Sequence, residues 1–397
     1  MRDNVKIFGG IIENEAIEQI GKLSGYEPYK DSKIRIMPDV HAGKGCTIGT
    51  TMTIDKAVTP NLVGVDIGCG MYVVPLGKVH IDLARFDEVV NAKIPSGFNI
   101  HDMEQRICME LNMLHCREAI DFDIAQRSIG SLGGGNHFIE LNEDEEGNKY
   151  LVIHSGSRNL GVRICGYYQK IAIRECEKRI KNKSDIIAEL KAQGREKEIQ
   201  AAIKEARANS ITFDKNLAHL TGEEMSDYLH DMQICQRYAI LNRETIADLI
   251  LTEFAYATCH AEEKPFHTMH NYIEVVMGRQ PILRKGAVSA YNGERLIIPM
   301  NMRDGSLICV GKGNADWNWS APHGAGRLMS RKKAKESIKM SDFQESMNGV
   351  YSTSVCESTI DESPQVYKPM QSIIDAISDT VHIEKIIKPI YNFKAKQ

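Results

Sequence analysis

Residues 34–74 read IRIMPDVHAGKGCTIGTTMTIDKAVTPNLVGVDIGCGMYVV. β-Branched and aliphatic runs alternate there with Gly, Asp and Asn, the pattern of short strands joined by tight loops. The chemistry-rich residues, Asp66 and Cys69 among them, fall in those loops. Farther along, charged helix formers between Gln169 and Arg207, broken by Gly194, predict a surface helical hairpin inserted at about 169–207. A further helix is expected over Asp227 to Leu251, where Met232, Cys235, Ala239 and Asn242 share one face and read as core packing. Strand-like segments follow at Tyr272 to Val276, Ala287 to Ala290, Leu296 to Pro299 and Ser306 to Val310. The glycine-rich turn SAPHGAGR comes next, and Gln371 to Lys388 reads as helical.

The chain has 397 residues, 42% hydrophobic and 26% charged, enough apolar material for a substantial core without staples. Ten cysteines are scattered with no CxxC pair, which suits a reducing cytosol and makes most of them small buried hydrophobes. The first residues lack the apolar stretch of a secretory signal, and no run of about 18 apolar residues escapes a charge. A cytoplasmic protein is expected. The net charge of −4 gives no global basic field, so any nucleic-acid surface must be local. The candidate is RLMSRKKAKESIK, Arg327 to Lys339, with six basic residues against one acid; a solvated helix face is the plainer reading.

Potential metal ligands recur in three glycine-rich, strand-flanked loops, Asp66 and Cys69 in VGVDIGCGM, His137 in GGGNHFIE and His154 in VIHSGSR, and HNYIE adds His270. Any one of these histidines alone is more often structural than a ligand. Together, imidazole, thiolate and carboxylate suit a borderline divalent ion such as manganese, zinc or cobalt, and one thiolate can bridge two ions. No GK pair forms GxxxxGK followed by Ser or Thr, which argues against a P-loop, and GGGN at 133–136 more plausibly cradles a phosphate through backbone N–H groups. In SAPHGAGR, His323 could serve as a nucleophile if Asp39 oriented its ring and Arg327 lay over the phosphate. The competing reading is a helix-start turn capped by Ser320.

Taken together, MPDVHAGKG, GVDIGCGM, GGGNHFIE, HSGSRNLG, RKGAVSA, SAPHGAGR and ESPQVYK, spread over roughly residues 34–394, closely resemble the RtcB family of RNA 3′-phosphate ligases. The resemblance implies an α+β fold: a single large catalytic domain over 1–397, with mixed or antiparallel sheets, surrounding helices and the surface hairpin. It implies that Asp66, Cys69 and His137 hold one Mn²⁺ while Cys69, His154 and His270 hold a second. His323 matches the guanylylated histidine, and Asp39 the carboxylate that orients it. Asn136, Glu140, Ser306, the turn Gly324, Ala325 and Gly326, Tyr367 and Lys394 match positions that grip GMP. Arg158 and Lys285 match basic residues near the phosphates or RNA end.

The implied reaction uses GTP to guanylylate His323, transfers GMP to an RNA 3′-phosphate, and seals the resulting RNA(3′)pp(5′)G end to a 5′-hydroxyl, as in tRNA splicing or RNA repair. Two stretches depart from the commoner family pattern: PMNMRDGS at 299–306 and Ala321-Pro322 before His323. The metal constellation alone would equally suit a dinuclear phosphoesterase or nuclease. The two readings part at His323, which a hydrolase has no need to charge with GTP.

Overall fold

The computed structural model describes residues 3–9, 12–43, 45–179, 183–204, 214–254 and 262–395. The strands are β1 Val5–Ile7, β2 Ile34–His41, β3 Ile48–Thr53, β4 Gly70–Gly77, β5 Phe138–Glu143, β6 Lys149–Ser155 and β7 Phe266–Met269. They continue as β8 Asn271–Glu274, β9 Ile282–Lys285, β10 Ala287–Ser289, β11 Arg295–Asn301, β12 Gly305–Gly311, β13 Ser320–Pro322 and β14 Val381–Lys394. They form a five-stranded sheet in the order β1-β2-β3-β9-β8, a two-stranded ribbon β10-β13, and a seven-stranded sheet β11-β12-β14-β5-β6-β4-β7. Only β1 and β2 run parallel among these pairs. With helices packed around mixed and antiparallel sheets, the fold is α+β.

The helix expected from Asp227 begins at Gly222 and runs to Leu251. Met232, Cys235, Ala239 and Asn242 are fully buried on it, as are Tyr228, Asp231, Tyr238 and Arg243. Its apolar face joins helix Arg158–Arg179 and the five-stranded sheet in the largest core cluster. Farther along, Ile246 and Ile250 pack with helix Leu83–Lys93 against the seven-stranded sheet.

Three expectations are corrected. The first arm of the hairpin is the end of helix Arg158–Arg179, whose Tyr168, Ala172 and Cys176 are buried, because apolar spacing continues through the charged stretch. A helix Lys183–Ala192 follows, while 180–182 and 205–207 lie outside the described residues. The segment Gln371 to Lys388 is helical only within Met370–Ile377. From Val381 it is β14, which pairs with β12 through its first half and with β5 through its second. Two neighbouring edges offering backbone partners outweigh the helix-like spacing of IEKII. Finally, SAPHGAGR starts no helix: Ser320 lies in β13 and its hydroxyl donates to the Asn318 carbonyl.

Candidate functional site

Sheet register gathers the metal-ligand candidates. Gly70 of β4 stands opposite Ser155 of β6 and Met269 of β7, and Phe138 of β5 stands opposite His154. Cys69, His137, His154 and His270 therefore each lie within one residue of a single row across four strands. His270 links this sheet to the others, since its N–H donates to the Cys69 carbonyl at 2.9 Å and its carbonyl accepts the Gly286 N–H at 2.7 Å.

The side chains converge. Cys69 Sγ lies 3.3 Å from His154 Nε2 and 3.4 Å from His137 Nε2, and His137 Nε2 lies 3.0 Å from Asp66 Oδ2. Two ligand groups result, Asp66/Cys69/His137 and Cys69/His154/His270, with Cys69 common to both. His137 Nδ1 faces the Leu132 carbonyl at 2.8 Å, which keeps its proton there and leaves Nε2 as the ligand atom. Burial, then the neighbouring imidazoles, hold His154 and His270 well below the usual histidine range, so both are neutral donors. Burial raises Asp66, but the facing His137 ring and the hydrogen bonds from His137 and Cys69 outweigh it and hold the carboxyl down to about 2. Burial, then the Asp66 charge, push the Cys69 thiol well up, whereas a coordinated cation deprotonates a thiol outright. Mutually facing N, S and O donors about 3 Å apart, buried except for the half-buried Asp66, fit divalent ions with bonds of roughly 2.0–2.3 Å. Gly156 makes room: a Cβ there would sit 2.0 Å from Asp66 Oδ1.

His323 follows β13, whose Pro322 pairs with Ala287 of β10, and this ribbon delivers it to the cluster. Its ring centroid is 4.9 Å from that of His270. Asp39 of β2 is fully buried, and its Oδ2 accepts from His323 Nδ1 at 2.6 Å and from the His323 N–H at 3.1 Å. Gly326 permits the close pass: its φ is 74° and a Cβ would meet the Asp39 carbonyl oxygen at 2.3 Å.

Two contiguous cavities share His323 and Asn136. The larger, of about 580 Å³, is lined also by Glu140, His154, Tyr367, Lys394 and the turn Gly324–Ala325–Gly326. The smaller, of about 270 Å³, is lined by Asp66, Cys69, His270 and Lys285. Lys394 Nζ donates to Glu362 Oε2 at 2.8 Å, and Tyr367 donates its hydroxyl to the same oxygen at 2.7 Å. Burial raises Glu362, but the Lys394 and Arg331 charges prevail and hold it down to about 2. Burial pushes Glu140 up to about 7, against the Asn392 hydrogen bond and the Lys394 charge.

Other expected residues sit differently. Ser306 is buried in β12 and lies off the wall of the larger cavity, where Pro299, Met300, Asn301 and Met302 stand instead. Arg158 has φ 57°, and its guanidinium donates to Ser131 Oγ and the Gly97 carbonyl, behind the glycine loop. Lys285 Nζ donates to the Asn61 carbonyl at 3.1 Å. Arg327 lines the larger cavity but is held by Glu362 Oε1 and the Asp361 carbonyl.

Sequence reading missed the scaffold beneath the cluster. Buried Arg243 donates to the carbonyls of Gly68 and Ser155, both at 2.8 Å, and so ties the Cys69 loop to the end of β6. Asn242 donates to the Ser155 hydroxyl and the Gly156 carbonyl and accepts from the Gly130 and Ser131 N–H groups. Its polar side chain on an apolar stripe was the available signal. Glu362 and Lys368 stand in ESPQVYK without an assigned role. Lys368 Nζ donates to the carbonyls of Pro38 and Val40, on either side of Asp39.

A family model described as tRNA-splicing ligase RtcB matches residues 28–119 and 98–395. RNA-splicing ligase RtcB of Escherichia coli (strain K12) is 29% identical over 389 residues, covering 90% of this chain and 88% of that protein. tRNA-splicing ligase RtcB of Archaeoglobus fulgidus is 25% identical over 453 residues, covering 92% and 88%. That of Methanococcus maripaludis is 25% identical over 460 residues, covering 94% and 89%.

Proposed function

The chain belongs to the RtcB family and is an RNA ligase, and from that membership and the centre's geometry we propose a GTP-dependent reaction with His323 as nucleophile and two manganese ions. The observation that carries this reading is the Asp39–His323 pair, 2.6 Å apart and opening on the cavities that hold the Cys69 cluster. A phosphoesterase has no need to charge such a histidine with GTP, and the family membership stands against that reading.

Asp66, Cys69 and His137 would hold one ion, and Cys69, His154 and His270 the other. When bound, the ions supply positive charge to phosphate oxygens. Asp39 keeps the proton on His323 Nδ1, so the Nε2 lone pair attacks the GTP α-phosphorus. The bond from that phosphorus to the bridging oxygen breaks, pyrophosphate leaves with the electron pair, and Asp39 stabilises the ring's positive charge. An RNA 3′-phosphate oxygen then attacks the same phosphorus, and the P–N pair returns to Nε2. Where the end is a 2′,3′-cyclic phosphate, water opens it first. The 5′-hydroxyl, losing its proton, attacks the RNA phosphorus of RNA(3′)pp(5′)G, and GMP departs.

Asn136, Glu140, Tyr367, Lys394 and the 324–326 turn share the larger cavity with His323 and form the GMP side of the site. The size of that cavity suits a nucleotide, within the roughly 300–1,000 Å³ of small-molecule sites. Lys285, in the smaller cavity, and Arg327 face the phosphates or RNA end. Arg158 serves by bracing the glycine loop. The described cysteines are free thiols, which suits the cytoplasmic location proposed here, and among the described residues no helix is long and apolar enough to cross a membrane.

A joining assay tests this reading. RNA carrying a 3′-phosphate and RNA carrying a 5′-hydroxyl should be joined only with GTP and Mn²⁺ together. Joining that persists without GTP, or with ATP in its place, contradicts it.

A further inference from the structure

A second group of metal-binding side chains lies away from Cys69. His115 follows the short turn Met109–Met113, and Asp227, His230 and Asp231 share one face of helix Gly222–Leu251 at i, i+3 and i+4. His115 Nε2 is 3.7 Å from Asp227 Oδ1, and His230 Nδ1 is 3.1 Å from Asp231 Oδ1. A ring nitrogen from each histidine and a carboxylate oxygen of Asp231 fall within 4.8 Å of one another.

The two rings meet edge to face, with centroids 4.7 Å apart at 70°. In the Cys69 cluster the corresponding pairs are His137–His154 at 5.2 Å and 61°, and His154–His270 at 5.1 Å and 69°. Bonds of about 2.0–2.2 Å in tetrahedral geometry place donors roughly 3.4 Å apart, so the 3.1 Å between His230 Nδ1 and Asp231 Oδ1, with all three donors within 4.8 Å, leaves room for one ion.

Asp231 is the buried member of the group. It is fully buried, and its carboxylate accepts the His115 N–H at 2.9 Å, the Cys116 N–H at 3.0 Å and the Tyr168 hydroxyl at 2.8 Å. These donors fix the carboxylate in place, and its Oδ1 faces His230 Nδ1 at 3.1 Å as the second donor of the group. The Cys116 thiol is fully buried and hydrogen-bonded to Asp231, and it is not among the converging donors. His115 is about half exposed, which leaves a path for an ion.

We propose that His115, His230 and Asp231 bind one borderline divalent cation of the zinc, cobalt or nickel type, with the Asp227 carboxylate beside His115, and that the ion clips the 109–119 segment to the long helix. Two imidazoles and one carboxylate favour such ions over magnesium or calcium. Leu111, Leu114 and Cys116 root this segment in the core, while its described elements are only the short 3₁₀ turns Met109–Met113 and Arg117–Ala119, and Met109 and Met113 are largely exposed. Upstream, the same stretch reaches the glycine loop of the main centre, where the Gly97 N–H donates to the Gly133 carbonyl.

The test uses the full chain and Zn²⁺ alone, in a Cys69→Ala background that removes the ligand common to both main sites. Calorimetric titration should show one equivalent of Zn²⁺, lost when His115→Ala or His230→Ala is added. Zn²⁺ should slow amide exchange across 109–119 only while both histidines are present. In the otherwise unaltered chain, His115→Ala should lower the bound-zinc count by one equivalent and leave GTP labelling of the protein unchanged, with an unaltered circular dichroism spectrum showing that the fold survives. A zinc count that does not depend on His115 in either background overturns the proposal, and so does exchange that Zn²⁺ leaves unchanged.

Discussion

One oxygen of Asp39 accepts both the ring Nδ1–H and the backbone N–H of His323, so a single buried carboxylate sets the tautomer and the position of that ring together. Lys394 is organised in a similar way. Short range from the C-terminus marks it as a frayed tail, yet its ammonium is buried at the end of β14 against Glu362 and on the larger cavity wall. Lys394→Ala should weaken GTP use, because a hydrogen bond from a charged group contributes about 1.5–3 kcal/mol, on the order of ten- to a hundred-fold in apparent affinity. It should also lower the melting temperature by leaving Glu362 one partner short. Steady-state kinetics in GTP and a thermal melt read the two effects separately, and an unchanged GTP dependence removes Lys394 from the nucleotide site. Glu140 gives a pH prediction. Its carboxyl is raised to about 7 in the folded chain, against roughly 4.3 unfolded. Between those values the folded state holds the extra proton, so this residue's contribution to stability falls as pH rises and is constant above the folded value. The melting-temperature difference between Glu140→Gln and the unsubstituted chain should move in favour of Gln from pH 4 to 7; a flat difference contradicts the assignment.

At the scale of elements, helix Gly222–Leu251 was legible because Met232, Cys235, Ala239 and Asn242 repeat at helical spacing and all prove buried. Arg243 was not legible, since one arginine on a helix ordinarily faces water. Only the fold brings the Gly68 and Ser155 carbonyls beneath it, from 175 and 88 residues away. Burial lowers this guanidinium to about 10 against the Cys69 and Asp66 charges that raise it, so it remains a cation at neutral pH. Arg243→Met should loosen the Cys69 loop and weaken Mn²⁺ binding about ten- to a hundred-fold, the usual cost of losing a group that orients metal ligands. Manganese titration checks this, and unchanged affinity would make the contact purely structural. The strand β14 was misread for a related reason. Its spacing fits a helix as well as a strand, and the deciding partners, β12 and β5, are distant in sequence. Arg158 and Ser306 show the limit of motif matching: both occur where the family pattern puts them, but one braces a loop and the other lies inside a sheet.

Across the whole molecule, the centre lies where three sheets meet: β2 supplies Asp39, the β10–β13 ribbon presents His323, and the ends of β4 to β7 carry the cluster. Four of the five metal-ligand candidates were legible from the glycines beside them, His270 in HNYIE lacking any, whereas their convergence depends on strand register. Cys69 belongs to both ligand groups, so Cys69→Ala should impair both manganese sites while His137→Ala or His270→Ala mainly affects one. A manganese titration of the Cys69 variant that still shows one fully occupied site among these ligands would reject the shared thiolate. The most direct test of the central claim is incubation with GTP labelled at its α-phosphate and Mn²⁺, followed by denaturing electrophoresis. The unsubstituted chain should carry label and His323→Ala none, while the variant still seals part of a preformed RNA(3′)pp(5′)G end. Undiminished labelling of His323→Ala, or no labelling of a chain that joins RNA, would contradict the account.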